Sequence, residues 1–398
     1  MKRTEHSNIG NRRDGKSALR VGFPKGRQID SPSQQEIRSL LSGKSTKREY
    51  LIENLHVIQD KYNQLPANLM AALANEMKLS QSEVYEVATF YHHFTVVKEN
   101  EPARPPLTIR VCNGIACEMA GSKDLMTELS NSTTPSFEIV SAPCVGACDR
   151  APIAVVGKNQ IAKANSKLVY DTISSETFEQ KATSHQTLEA YRDRGGYRTL
   201  NQMLNGEMNK EYILDQLEKS GLRGMGGAGF PVSRKWKFLE GKPKSRVIVV
   251  NADEGEPGTF KDRYCLETSP HKVLEGMLIA AWAVEAQDAY IYLRDEYPDI
   301  HKILLKEISE LEDAGLSNGV NIHLRRGAGA YICGEESALL ESIEGKRGLP
   351  RNRPPYPAEE GLFGKPTLIN NVETLYWVSE ILRNGSDWYI REGRPRFY

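Results

Sequence analysis

Between residues 36 and 94 apolar side chains recur at helical spacing, and beyond residue 105 the pattern changes to short apolar runs. Leu51, Leu55, Ile58 and Tyr62 share one face of a 3.6-residue repeat and predict a buried helical stripe. Leu65-Pro66 interrupts it, because proline lacks the N–H that a helix interior needs. Ser80, with Glu83 three residues on, is a capping box opening the segment that carries Val84, Val87 and Tyr91. The block reads as a small helical bundle over 36–100. The proline-rich joint EPARPP (101–106) leads into LTIRVC, a short strand that delivers Cys112. FEIV before Ala142 and IAVV after Pro152 are further strands, and a small α/β domain over 101–182 fits them. The stretch SSETFEQKATSHQT (174–187) is polar and aperiodic, and 183–209 is expected to be a linker. Then come RVIVVNAD, AYIYLRDE and VNIHLRRG, separated by helical patterns such as His271 to Val284. Strands alternating with helices at this spacing predict a parallel, wound α/β sheet over 210–385. No internal repeat or low-complexity tract is present.

Bulk composition changes this picture little. A chain of 398 residues with 39% hydrophobic content can build two or three domains. Its 52 basic and 52 acidic side chains balance, so nothing draws the whole chain to nucleic acid or an anionic membrane. No apolar run approaches the roughly 20 residues that span a bilayer, so any membrane role needs partner subunits. Residues 1–35 begin basic and lack a hydrophobic stretch, which excludes a secretory signal and reads as a flexible solvated tail. With no export signal, the six cysteines argue for clustered metal or catalytic thiols in the cytosol rather than a disulfide framework.

Four of those cysteines cluster. Four residues separate Cys112 from Cys117, three separate Cys144 from Cys148, and twenty-six lie between the pairs. Thiolates from two loops can hold zinc or an iron–sulfur cluster, and spacing alone leaves both open. The loops NGIAC and PCVGAC are built of small residues, which let backbone N–H groups approach cluster sulfurs and tilt the reading toward iron–sulfur. Cys265 and Cys333 read as inert buried thiols, and adjacent His92 and His93 as structural.

A second candidate site begins at GLRGMGGAGF (221–230). Gly224, Gly226 and Gly229 satisfy GxGxxG, but the preceding EYILDQLEKS is helical, so the dinucleotide fingerprint fails its context. What survives is a loop whose N–H groups can close on a phosphate or flavin, or a merely tight turn. RVIVVNADEGEPGTFKDR carries Asn251, Asp253, Glu254 and Glu256 off a strand end, where ligands of open α/β sheets sit; a solvated acidic loop is the competing reading. Asn370, Asn371 and Thr374, in GKPTLINNVETL, lie at or near a helix start, a natural phosphate site.

These motifs carry two resemblances. VCNGIACEMAGS and SAPCVGACDRAP look like the ligand loops of the thioredoxin-like [2Fe–2S] subunit of respiratory complex I, and LPANLMAALANEMKLSQSEVYEVATFYHHF resembles that subunit's N-terminal bundle. The match covers about residues 36–182 and implies a [2Fe–2S] cluster on Cys112, Cys117, Cys144 and Cys148. From about 210 to 385, the glycine loop with RVIVVNADEGEPGTFKDR, RRGAGAYICGEESALLESIEGKRGLPRNRPPYP and GKPTLINNVETL is similar to the NADH-binding flavoprotein subunit of complex I. The diaphorase subunits of NAD-reducing hydrogenases and NAD-dependent formate dehydrogenases are its relatives. A Rossmann-like α/β domain is implied, in which Gly224, Gly226, Gly227, Ala228 and Gly229 would wrap FMN, with Lys235 nearby. Asn251, Asp253 and Glu254 would hold the ribityl chain and ring; Tyr331, Gly334 and Glu335 would line the flavin; Asn370, Asn371 and Thr374 its phosphate. Phe230, Phe238 and Tyr356 would stack on the NADH adenine, with Glu256, Glu336 and Arg353 completing the nucleotide site, Glu256 and Glu336 as its candidate catalytic carboxylates. Arg353 and Tyr356 stand where relatives often have Lys and Phe. Glu336, close to the adenosine ribose, would repel the extra phosphate of NADPH. The resemblance also implies partner subunits, including a [4Fe–4S] acceptor. Relatives continue into a domain with four more cysteines, so residues 386–398 are expected to start a region that is absent here. An NADH dehydrogenase module of complex I type is the leading expectation, a formate dehydrogenase or hydrogenase diaphorase the runner-up. A non-catalytic electron-transfer or assembly fragment is the alternative of another class.

Overall fold

The computed structural model describes residues 26–131 and 136–393. The expected basic tail up to residue 25 and the last five residues lie outside them. Four helices come first: α1 Ser31–Leu40, α2 Leu51–Tyr62, α3 Ala67–Met77 and α4 Gln81–Phe90. The capping box forms as expected at α4: Ser80 accepts from the Glu83 amide while the Glu83 carboxylate takes the Ser80 amide. Leu51, Leu55 and Ile58 are fully buried, Tyr62 only partly. Leu65–Pro66 does more than break a helix. It is a two-residue strand, β1, pairing in parallel with β2, Val96–Val97.

A four-stranded sheet follows, from β3 Leu107–Cys112, β4 Phe137–Ala142, β5 Ala154–Val156 and β6 Asn159–Ile161, in the order β4-β3-β5-β6. Only β3 and β4 are parallel, with Cys112 opposite Ala142, so both cysteine loops leave the same end of the sheet. Helices α5 Ile115–Met119, α6 Ser122–Ser130 and α7 Ser166–Ser174 complete this unit.

The stretch 183–209, expected as a linker, instead contains α8 Leu188–Asp193 and α9 Arg198–Leu204. Leu188, Tyr191, Tyr197, Leu200 and Met203 are buried in the large core. Each helix contributes only two or three anchors, too few to show a period in the sequence.

The second sheet takes β7 Arg246–Ala252, β8 Ala286–Leu293, β9 Asn321–Arg326 and β10 Thr367–Asn371 in the order β10-β7-β8-β9, all parallel. Around it lie α10 Lys210–Ser220, α11 Val232–Lys237, α12 Lys261–Thr268, α13 Pro270–Ala283, α14 Pro298–Asp313, α15 Glu336–Ile343, α16 Val372–Asn384 and α17 Ser386–Gly393. Val247 to Val250 are at most 1% exposed, so β7 is covered on both faces, as its unbroken apolar run implies. Successive side chains of a strand alternate faces. Ile248 and Val250 enter a core with α13 and α16, while Val247 and Val249 enter one with Leu55, Leu73 and Val84 of the bundle. The helical bundle therefore caps the second face of the wound sheet. No described helix is long and apolar enough to cross a membrane.

Candidate functional site

Because β3 and β4 end side by side, the two cysteine loops converge. Cys112 closes β3, Cys117 sits in α5, and Cys144 and Cys148 lie just beyond β4. Cys144 Sγ is 3.4 Å from Cys148 Sγ, the Gly114 amide points at Cys112 Sγ from 3.4 Å, and three of the four thiols are buried. Thiol–thiol hydrogen bonding lowers Cys117 through Cys112 and raises Cys112; it also raises Cys144, with burial adding to that rise. Such neighbours cannot all ionise unless cationic metal centres take the charge, which is the condition an iron–sulfur core meets. A Cβ at Gly114 would lie 3.2 Å from the Cys144 Cβ, a tight contact, so the two loops close on each other here. All six cysteines are free, and Cys265 and Cys333 are buried away from the four.

The wound sheet brings the second set of residues together at the carboxyl ends of β7 and β10. The glycine loop crosses there between α10 and α11, closed by the Gly224 amide on the Phe230 carbonyl at 2.9 Å. Gly227 and Gly229 have φ of +109° and +62°, and a Cβ at either would meet nothing within 4 Å, so this backbone faces open space. A turn whose backbone faces open space can present N–H groups to a flavin or phosphate. Asn251 donates to the Gly334 carbonyl at 2.9 Å and accepts the Asp253 amide, tying the β7 end to the Tyr331–Gly334 turn. Burial pushes the Asp253 carboxyl up to about 7, so at neutral pH it can donate as well as accept.

The expected phosphate residues behave differently. Asn370 and Thr374 are buried: Asn370 Oδ1 takes the Trp236 indole N–H at 3.1 Å, and Thr374 Oγ1 takes the Met225 amide at 2.9 Å. Asn371 caps α16 and donates to Asp262 at 2.6 Å. All three hold the glycine loop and its neighbours in place from below.

Nucleotide-site candidates gather in front of the loop. The Phe230 and Phe238 rings lie 5.6 Å apart, both exposed; Tyr356 is exposed too but makes no ring contact with them. Glu335 caps α15 through the Ser337 and Ala338 amides and pairs with Arg353. Glu336 meets Lys235 at 3.3 Å and Arg353 at 3.1 Å. With Glu335 also on Arg353, two cations face two carboxylates here. Tyr331 donates to Glu256 on the outer rim.

Sequence reasoning missed the joint between the two sites. The Gly258 amide, on the turn carrying Glu254 and Glu256, points at Cys148 Sγ from 3.2 Å. Buried Arg294, just past β8, donates to the Cys144 carbonyl at 2.7 Å and also to the Glu254 carbonyl. Tyr297 donates to Glu254 at 3.2 Å and lies under Gly146, where a Cβ would come within 2.4 Å of its hydroxyl. Nothing in PGT or YLRDE signals these contacts, which exist only across the fold.

Comparison with known proteins agrees with this division. The thioredoxin-like [2Fe–2S] ferredoxin family matches residues 37–175, and the Nuo51 FMN-binding domain family matches 217–380. An NADH-quinone oxidoreductase subunit of Aquifex aeolicus is 50% identical over 211 residues, 51% of this chain and 49% of that protein. The alpha subunit of NAD-reducing hydrogenase HoxS from Cupriavidus necator is 33% identical over 402 residues, 90% of this chain and 66% of that one. A solved NAD+-reducing [NiFe]-hydrogenase in the air-oxidized state superposes with a TM-score of 0.71 at 31% identity, covering 86% of this chain and 63% of that one. The chain thus spans about half of the NADH-quinone oxidoreductase relative and just under two thirds of the hydrogenase one.

Proposed function

We propose, from the premise that residues 37–175 belong to the thioredoxin-like [2Fe–2S] ferredoxin family and residues 217–380 to the Nuo51 FMN-binding family, that this chain is the NADH-oxidising module of a larger redox assembly. The observation that carries the reading is the joint: Gly258 reaches Cys148, and Arg294 holds the Cys144 loop and the Glu254 turn at once. Two sites with no shared chemistry would have no reason to be locked together so closely. Bound FMN would supply the chemistry that couples two-electron oxidation of reduced nicotinamide to single-electron release, and a [2Fe–2S] cluster on the four cysteines would supply a one-electron acceptor.

The protein's own part is position and electrostatics. Gly224, Gly226, Gly227, Ala228 and Gly229 would bring backbone N–H groups against the flavin, with Asn251, Asp253 and Glu254 at its polar edge. Tyr331, Gly334 and Glu335 would form the opposite wall. Phe230, Phe238 and Tyr356 would hold the adenine, and Glu256, Glu336 and Arg353 the rest of the nucleotide. Cys112, Cys117, Cys144 and Cys148 would ligate the iron. We place the chain in the cytoplasm, with any membrane contact made by partner subunits, among them a [4Fe–4S] acceptor. A specific observation favours the second reading, a hydrogenase or formate dehydrogenase diaphorase: the hydrogenase relative aligns with both halves of this chain in one polypeptide.

NADH-dependent ferricyanide reduction by anaerobically purified, FMN- and iron-reconstituted chain tests the proposal, with its absorption spectrum alongside. Turnover with flavin and iron–sulfur bands supports it. A cluster spectrum with no flavin and no turnover would leave only an electron-transfer or assembly piece.

A further inference from the structure

At the seam between the bundle and the wound sheet, one buried and one part-buried imidazole turn ring nitrogens toward a common space. His56 and Asp60 are four residues apart on one face of α2, and His93 follows α4. His56 Nε2 is 2.8 Å from the Gly327 carbonyl, which can only accept, so that nitrogen carries the proton and Nδ1 is left bare. His93 Nδ1 is 2.6 Å from the Asp295 carboxylate and donates to it, so in the neutral ring Nε2 is the bare nitrogen. Both bare nitrogens are buried and have no hydrogen-bond partner among the described residues. The two rings are 5.0 Å apart, and one ligand atom each from His56, Asp60 and His93 lies within 4.8 Å of the other two.

Two buried acceptors facing each other are costly unless something electron-poor lies between them. Imidazoles that ligate metals nearly always donate their other N–H to a carboxylate or carbonyl, which is the arrangement of both rings here. Burial also holds His56 well below its ordinary value, hence neutral and able to coordinate. Asp60 is not idle: Oδ2 takes Arg326 at 2.7 Å, and Oδ1 takes Lys158 at 3.1 Å and Arg326 at 3.4 Å. Arg326 also pairs with Asp295 at 2.6 Å and would stay on the outer oxygen of Asp60. Lys158 is about a third exposed and can turn into solvent, releasing Oδ1. That leaves Asp60 and Asp295 against Arg326, one net negative charge to meet a cation, and Arg110 with Glu296 on the adjoining cavity adds none. A cavity of about 70 Å³ beside His93 has room for water at a further position.

We propose that His56 Nδ1, His93 Nε2 and Asp60 Oδ1 form a binding site for a divalent ion of the zinc class, pinning the bundle to the sheet. It is separate from the four thiols and independent of the function proposed above. The mixed nitrogen–oxygen donor set suits zinc, and the rival occupant is a single water donating to both imidazoles.

The test uses the full chain with its iron in place, exposed to Zn2+, desalted, and analysed for metals. One zinc per chain beyond the iron is expected, retained in a Cys144→Ser/Cys148→Ser variant and lost in His93→Gln. Asp60→Asn, at the surface and the same size, should weaken zinc at least tenfold without disturbing the fold. X-ray absorption should show only a nitrogen/oxygen shell near about 2.0 Å, with no sulfur near about 2.3 Å. Zinc no higher in wild type than in His93→Gln, a sulfur-only shell, or a zinc-soaked crystal with water between the rings would each overturn the proposal.

Discussion

Glu336 is where the structure changes what a substitution should do. From sequence, its carboxylate alone repels the extra phosphate of NADPH. In the fold it lies 3.3 Å from Lys235 and 3.1 Å from Arg353, with Glu335 on Arg353 as well, so the four charges cancel. Glu336→Gln leaves the group with one net positive charge facing the proposed adenosine ribose position. A ribose phosphate carries about −1.5 to −2 at neutral pH. At roughly 6 Å and an effective dielectric of about 60, suited to side chains about a third exposed, the attraction is about 1.5–2 kcal/mol. The ratio of kcat/KM for NADH over NADPH should therefore fall roughly 10- to 30-fold. Ferricyanide reduction with each nucleotide, at about 0.05 and 0.3 M salt, measures it, and the gain in NADPH use should shrink at the higher salt. An unchanged ratio with FMN still bound would refute the reasoning. A loss of NADH use without a gain for NADPH would instead show Glu336 as a ribose hydrogen-bond acceptor only.

Phe238→Ala removes half of the exposed ring pair and should raise the KM for NADH about tenfold with FMN content unchanged, as steady-state kinetics and the flavin spectrum will show. Asp253→Asn should stabilise the flavin-free chain at pH 8. Its raised carboxyl, about 7 against an ordinary 3.8, brings a cost of at most about 4 kcal/mol that appears as pH rises through that window, and partial exposure reduces it. Thermal melting at pH 5 and 8 checks this, together with weaker FMN retention. Gly146→Ala places a Cβ 2.4 Å from the Tyr297 hydroxyl at a φ of +73°, and should cost about 2–4 kcal/mol while lowering iron content. At Glu307, burial raises the carboxyl but is outweighed by hydrogen bonds from Lys306, His185 and His271, so it sits at about 2. A depressed carboxylate stabilises above its unfolded value and loses that contribution as pH falls, here between about 4.5 and 2. Acid unfolding of Glu307→Gln should be shallower than wild type across that window.

The sequence by itself determined whatever depends on near neighbours. A capping box needs two residues three apart, and it formed at Ser80 and Glu83. Apolar runs marked β3, β7, β8 and β9, and the spacing of Cys112, Cys117, Cys144 and Cys148 announced a four-thiol site. β10 was hidden because TLINN is five residues long and ends in a helix cap. α8 and α9 were hidden because each buries too few side chains to show a period. Only the tertiary structure decided how distant segments meet. It laid the bundle on one face of the wound sheet, balanced Glu336 with Lys235 and Arg353, and brought His56 to His93. It also carried the Gly258 amide to Cys148 across 110 residues of chain. Such contacts depend on strand order and on which sheet face each residue occupies, and no local pattern encodes either.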